Sequence, residues 1–255
     1  MIDHLARTLS RSDDIRAAWL GGSDAFHRAD DLSDIDVFIL VRRGRVEQAA
    51  ADFQRCVEQV SPISRLLRLP MPTWHGFHQA FYQLANAPEH LMVDWLAVEQ
   101  GDAHPWSDVE RHGTPVVFFD KDGDCSPRHV DPAAVRRAVA KRVGELRMRF
   151  PMFRHLATKQ AARGLPADGA GFYHTQVVRP LVDLLRCVHC PDRHDFGMRY
   201  LRDDLPAAEY EAVCRLCYPR EVGDLVALTR EASLMFERAL ALWDARASPD
   251  VAGPS

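Results

Sequence analysis

Long apolar runs are missing from this 255-residue chain: no stretch reaches the roughly 18 residues that could span a bilayer, and no cationic-then-apolar leader opens it. A cytoplasmic protein is the expectation. Neither sign of charge dominates. The 32 Lys plus Arg face 36 Asp plus Glu, and a formal net charge of -4 argues against a large nonspecific nucleic-acid surface. A small-molecule partner is favoured over a polymer. Glycine (14) and proline (16) are not in excess, and 47% hydrophobic with 27% charged residues is ordinary for a globular chain. No internal repeat is visible.

Cysteine is scarce too, but four of the six fall in two pairs, Cys187-x-x-Cys190 and Cys214-x-x-Cys217. On spacing alone that is a zinc pattern. The glycine-rich knuckle turns of zinc ribbons are absent, and Leu184–Val188 and Ala212–Leu216 continue amphipathic helical runs. Cysteine acting as a small buried hydrophobe is the preferred reading, and a cytosolic compartment disfavours disulfides. Cys56 and Cys125 stand alone. His75, His78, His189 and His194 suggest metal binding by proximity, but with twelve histidines in the chain chance adjacency explains them.

The first half alternates strand and helix signals. A helix near 2–10 leads to a strand at 15–20, a Gly21-Gly22-Ser23 turn, a short helix near 24–27 and a second strand at 34–41. Val46, Ala49, Ala50, Phe53 and Val57 form one stripe at helical period, which marks a core-facing helix over 45–60. Strands are predicted at 63–69, 79–84, 91–98 and, as an edge, 115–119. The acidic turn Asp120–Asp124 resembles a calcium loop but lacks the downstream Glu, so it reads as a solvated turn.

After Asp131-Pro132, a cap and a helix opener, the chain turns helical. Helices are predicted over 132–163 with a break near Phe150-Pro151, over 172–188 with a bend at Pro180, and over 207–218 and 221–245. The glycines between 164 and 171 read as a loop, and 247–255 as a disordered tail.

Candidate chemistry concentrates at Asp34-Ile35-Asp36, which enters the apolar stretch Val37–Val41. Alternate side chains of a strand share a face, so the two carboxylates point together with Cβ atoms roughly 7 Å apart. Such a pair can bracket metal ions in phosphoryl transfer. Upstream, Gly22 lets backbone N–H groups approach a phosphate closely and Ser23 offers a hydroxyl.

Trp19-Leu20-Gly21-Gly22-Ser23 followed by Asp31-Leu32-Ser33-Asp34-Ile35-Asp36-Val37-Phe38-Ile39 resembles the Gly-Ser … Asp-x-Asp signature of the DNA polymerase β-like nucleotidyltransferase superfamily. The bacterial branch of aminoglycoside and lincosamide nucleotidyltransferases is the most similar. The resemblance implies an α+β fold, with a nucleotidyltransferase domain of mixed sheet and helices over 1–130, a helical bundle over 131–246, and the tail 247–255. It implies a third carboxylate, and Asp94, alone inside Leu91–Val98, fits as a metal ligand or as the base for the attacking hydroxyl; an Asp facing water from an edge strand is the bland alternative. Two magnesium ions on Asp34, Asp36 and Asp94, an NTP (ATP first) with its phosphates at Gly22 and Ser23, and a small hydroxyl-bearing acceptor follow from the same resemblance. A regulatory or antitoxin-like protein on the same scaffold is the competing reading.

In the helical half, Tyr173, Arg179, Asp183 and Arg186 fall near one helix face, read first as a solvated face with intrahelical ion pairs. Lys141, Lys159, Arg179 and Arg186 form the pool from which a cation could balance a triphosphate. Arg193, Arg199 and Tyr200 lie in a loop-like segment that is either functional or a clamp on helix ends. Asp203, Asp204, Glu209 and Glu211 could line an acidic cleft, or serve as solvated helix caps.

Overall fold

The structure, a computed structural model, describes residues 1–102 and 108–247. It is an α+β protein whose contacts divide into two compact units, Met1–Val130 and Asp131–Ser255. The expected disordered tail lies outside the described residues apart from Ala247, which ends the last helix.

The first unit runs α1 (Ile2–Leu9), β1 (Ile15–Leu20), α2 (Gly22–Ala25), β2 (Ile35–Val41), α3 (Val46–Glu58), β3 (Ile63–Arg68), β4 (His78–Leu84), β5 (Met92–Glu99), α4 (Val109–His112) and β6 (Val116–Asp120). The six strands form one mixed sheet in the order β3-β4-β5-β2-β1-β6. Only β2 and β5 pair in parallel; the other neighbours are antiparallel. A parallel pair needs a long crossover, and the segment from α3 to β4 supplies it.

Period-two alternation splits the sheet into two faces. Val37, Ile39 and Val41 of β2 and Val93, Trp95 and Ala97 of β5 pack with Leu5 and Leu9 of α1 and with the α3 stripe Val46, Ala49, Ala50, Phe53, Val57. Each large side chain buried this way contributes roughly 1.5–3 kcal/mol. The opposite face carries a smaller cluster, Ala17, Trp19, Leu40, Phe77, Leu96 and Val98. Asp36 and Asp94 belong to that second face by the same alternation.

In the Asp120–Asp124 turn the Asp120 carboxylate gathers backbone N–H groups. Asp120 Oδ1 accepts from the N–H groups of Gly123 (2.9 Å) and Asp124 (3.1 Å), and Oδ2 from Cys125 (2.7 Å).

The second unit contains α5 (Pro132–Phe153), α6 (His155–Ala162), α7 (Pro166–Tyr173), a π turn (His174–Val178), α8 (Arg179–His189), a 3-10 turn (Pro191–Arg193), α9 (Leu201–Asp204), α10 (Ala207–Cys217) and α11 (Asp224–Ala247). The Asp131 carboxylate accepts from Ala133 N–H at 2.8 Å, the cap expected of Asp-Pro. Pro151 lies inside α5, and the chain breaks later, at Arg154.

The predicted glycine loop is instead α7. Pro166 opens it, and a Cβ on Gly169 would lie 3.1 Å from Leu225 Cδ1 and 3.4 Å from Ala161 N. Glycine here serves close helix packing, at some cost in helix propensity. The predicted bend at Pro180 takes the form of the π turn just before it, which leaves Pro180 in the first turn of α8, where its missing N–H is not needed.

The solvated helix face is corrected at Tyr173, Asp183 and Arg186, while Arg179 is exposed and makes the expected intrahelical pair with Asp183 at 2.8 Å. Tyr173 and Arg186 are 0% exposed and Asp183 4%. Tyr173 donates to the Leu216 carbonyl at 2.8 Å. Arg186 pairs with fully buried Asp204 at 2.6 Å and donates to the carbonyls of Gly197 (2.7 Å), Arg193 (3.2 Å) and Arg199. Arg193 reaches the other Asp204 oxygen at 2.5 Å. Arg186 therefore ties the 190–200 segment to the core and leaves the pool of triphosphate cations. Asp204, so paired, leaves the candidate acidic cleft, as does Glu209, 2.7 Å from His189.

All six cysteines are free thiols, and Cys187 is buried at 1% exposure. Among the described residues no group of three or more His, Cys, Asp or Glu side chains closes around a metal-sized point.

Removing one partner of a buried ion pair leaves the other uncompensated. Arg186→Met is expected to lower stability by about 3–5 kcal/mol in urea unfolding; Arg215→Met, on an exposed pair with Glu231, is expected to cost under about 1 kcal/mol.

Candidate active site

The parallel register of β2 and β5 sets Asp36 directly beside Asp94. Across the next strand Asp94 pairs with Phe81, and Phe81 pairs with Leu67. Paired residues share a face, so Leu67, Phe81, Asp94 and Asp36 form one row across four strands spaced about 4.8 Å apart. Asp34 precedes β2, and its Oδ1 accepts from the Met92 N–H at 3.1 Å, which ties the starts of the two strands together.

The Gly21-Gly22-Ser23 turn closes on this row. Gly21 N–H donates to the Asp36 carbonyl at 3.0 Å, extending the β1–β2 ladder past Leu20. A Cβ on Gly21 would come within 2.2 Å of the Phe38 ring. On Gly22, whose φ is +52°, a Cβ would meet Asp36 Oδ2 at 1.7 Å. Only glycine allows both that backbone conformation and that approach. Ser23 is half-buried, and among the described residues its hydroxyl and the Asp36 carboxylate have no hydrogen-bond partner.

The electrostatics follow. Burial, and then the neighbouring carboxylates of Asp94, Asp34 and Asp24, push the Asp36 carboxyl up from 3.8 to about 7. Asp94 is raised by burial, with Asp34 adding to the effect and a Gln79 hydrogen bond opposing it. Carboxylates crowded in this way favour a proton or a cation between them.

Gln79 is a residue that sequence reading missed. Its side-chain N–H group donates to both Asp94 oxygens, at 2.9 and 3.0 Å. Its carbonyl lies 3.0 Å from His75 Nε2, while His75 Nδ1 accepts from the Phe77 N–H at 3.1 Å. An acceptor at Nδ1 places the imidazole proton on Nε2, which makes His75 the donor to Gln79 and fixes the amide orientation. His75, whose sequence neighbourhood reads as chance adjacency, orients a carboxylate through an amide.

The donor set is all carboxylate oxygen, the chemistry of a hard dication such as magnesium. It does not form a closed cage, since Asp34 and Asp94 already accept N–H donors. Magnesium commonly takes one or two carboxylates and completes its shell with water and substrate phosphates, so an open set of this kind fits it.

Beside the row lies a cavity of about 830 Å³, lined by Asp34, Arg65, Leu67, Phe81 and Met92 among others. Its size suits a drug-sized molecule. Arg65 donates to neutral Gln83 at 2.6 Å. No described helix is long and apolar enough to cross a membrane.

No family model matches the chain, and no curated protein matches it. Among solved structures it is similar to an aminoglycoside 6-adenyltransferase from Bacillus subtilis, at 13% identity over 94% of this chain and 90% of that one, TM-score 0.34. It is also similar to the spectinomycin adenyltransferase AAD(9) from Enterococcus faecialis, solved with ATP and spectinomycin, at 12% identity over 94% and 97%, TM-score 0.34. At that degree of superposition neither likeness transfers an activity.

Between 3.8 and about 7 the folded protein binds the Asp36 proton more tightly than the unfolded chain, so this group's contribution to stability falls as pH rises through that window. Metal-free protein should therefore lose melting temperature from pH 5 to pH 8, and Asp36→Asn should flatten the slope. Gly22→Ala is expected to cost stability by at least about 1–3 kcal/mol, measured by chemical denaturation.

Proposed function

We propose that the chain is a nucleotidyltransferase: it moves NMP from an NTP, ATP first, to the hydroxyl of a small molecule and releases pyrophosphate. The observation that carries this reading is the half-buried Asp36 carboxylate, beside Asp94 and against Gly22, with no hydrogen-bond donor among the described residues.

In this reading the Gly22 backbone and Ser23 hydroxyl receive the β- and γ-phosphates. Asp34, Asp36 and Asp94 would hold magnesium, which when bound supplies charge neutralisation and acidifies an acceptor hydroxyl. The acceptor oxygen forms a bond to the α-phosphorus. The bond from that phosphorus to the bridging oxygen breaks, and pyrophosphate leaves with the electron pair. In this reading Asp94 takes the hydroxyl proton, and the Gln79 hydrogen bonds to both its oxygens support that role. Fixed orientation of a base is worth much of the barrier in a reaction that depends on in-line geometry.

The cavity of about 830 Å³ that runs from Asp34 past Phe81 is the acceptor site in this reading. Its apolar walls suit the body of a small molecule, whose hydroxyl would lie toward Asp94. The similar solved structures, named for aminoglycoside and spectinomycin adenylation, are in keeping with a small-molecule acceptor, though the argument stands on the site.

Asp36→Asn is expected to reduce NMP transfer by roughly 10²–10³-fold or more without lowering the melting temperature. Pyrophosphate release across a panel of hydroxyl compounds is the assay, and transfer at the wild-type rate would refute the reading. Gln79→Ala should cost about 10–100-fold in kcat with KM for ATP little changed, and His75→Ala less. An equal rise in KM for ATP would place Gln79 in nucleotide binding instead.

A further inference from the structure

The helical unit holds a second cluster that the proposed chemistry does not use. A small, partly open cavity of about 70 Å³ is lined by Arg142, Arg149 and Arg179, with Thr175, Gln176 and Asp183 as its other polar groups. Leu146, Phe150 and Pro180 complete the wall. The volume is that of a single tetrahedral oxyanion rather than a whole nucleotide.

Two of the three guanidinium groups, those of Arg142 and Arg179, are held in place before any ligand arrives. Asp183, with a side chain only 5% exposed, takes Arg142 on one oxygen at 2.5 Å and Arg179 on the other at 2.8 Å. The Arg179 guanidinium also lies against Gly197, where an added Cβ would be 2.8 Å from Nη2. Arg149 has no ion pair among the described residues and sits over the Phe153 ring at 6.0 Å. Arg179 uses only Nε toward Asp183, so its two terminal nitrogens keep their donors.

Charge does not balance. Glu145 pairs with Arg142 at 3.1 Å, so three cations meet two carboxylates, and only Asp183 of those two lines the cavity. Arginine forks match the oxygens of phosphate, and apolar walls strengthen the attraction. The π turn brings Thr175 and Gln176, a hydroxyl and an amide, to the same cavity. π turns recur at functional sites because they displace a few residues from the regular helix.

We infer that Arg142, Arg149 and Arg179 form a binding site for a phosphate group within the helical unit. The site takes one tetrahedral oxyanion, contributed either by a nucleotide's polyphosphate tail or by a separate phosphate-bearing molecule. It stands on residues other than Asp34, Asp36 and Asp94 and does not depend on the chain being a transferase.

Calorimetric titration of the full chain with pyrophosphate in EDTA tests it, because chelation removes any metal-dependent binding at the carboxylates. Wild type should bind, and Arg149→Gln, on an exposed helix position, should weaken binding at least tenfold with an unchanged ligand-free melting temperature. Arg149→Lys should recover part of the loss. ATP titrated under the same conditions separates the sources: a parallel loss assigns the site to the nucleotide's tail, and ATP binding indifferent to Arg149 assigns it to a separate phosphate. Two results would overturn the site. One is the absence of wild-type binding. The other is binding indifferent to Arg149→Gln but lost in Ser23→Asp, which puts the anion on the Gly22–Ser23 turn.

Discussion

Like charges held together by a parallel strand pair are the constraint on which the first unit depends. Backbone register, not side-chain attraction, brings Asp36 next to Asp94. Burial first, and that proximity second, push the Asp36 carboxyl up to about 7. Several otherwise unrelated features become necessary once the pair is in place. Position 22 must be glycine, because Asp36 Oδ2 occupies the space of a Cβ. Asp34 is anchored on the Met92 N–H, and Gln79 offsets part of the charge on Asp94. A site that stores repulsion in its resting state has a built-in preference for a cation, and the proposed nucleotidyl transfer draws on that preference.

The second unit solves a different problem with the same residue types. Arg186 and Asp204 are fully buried and satisfy each other, and Arg186 also collects three backbone carbonyls. Nothing is left over for a ligand. Around Asp183 the ratio is reversed: two arginines share one carboxylate while a third has no acidic partner among the described residues. Two arginine-rich sites one helix turn apart on α8 thus differ in whether charge is spent within the fold.

Much of the architecture was legible in the residues. Period-two alternation located every strand of the sheet to within a residue or so, and the α3 stripe marked its buried face. Asp34 and Asp36 could be singled out by their alternate spacing beside the Gly22–Ser23 turn, and Asp94 because a carboxylate inside an apolar strand needs a reason. Gln79 could not, since its contact with Asp94 depends on the β4–β5 register, and nothing local to Gln79 encodes a partner fifteen residues away. Composition misled at Gly169, where a small residue serves close packing rather than a loop. It misled again at Arg186: helical periodicity places a polar residue on a face but does not say whether a distant Asp204 will cover it.

The central claim is that the Asp36 carboxylate, with the Gly22–Ser23 turn, receives a metal–nucleotide pair. Calorimetric titration of ATP, GTP, CTP and UTP, with and without magnesium, compares wild type with Asp36→Ala most directly. Magnesium-dependent binding of at least one nucleotide, lost in the variant, is the predicted result. Nucleotide binding that is equally strong without magnesium and unchanged in Asp36→Ala would contradict the account.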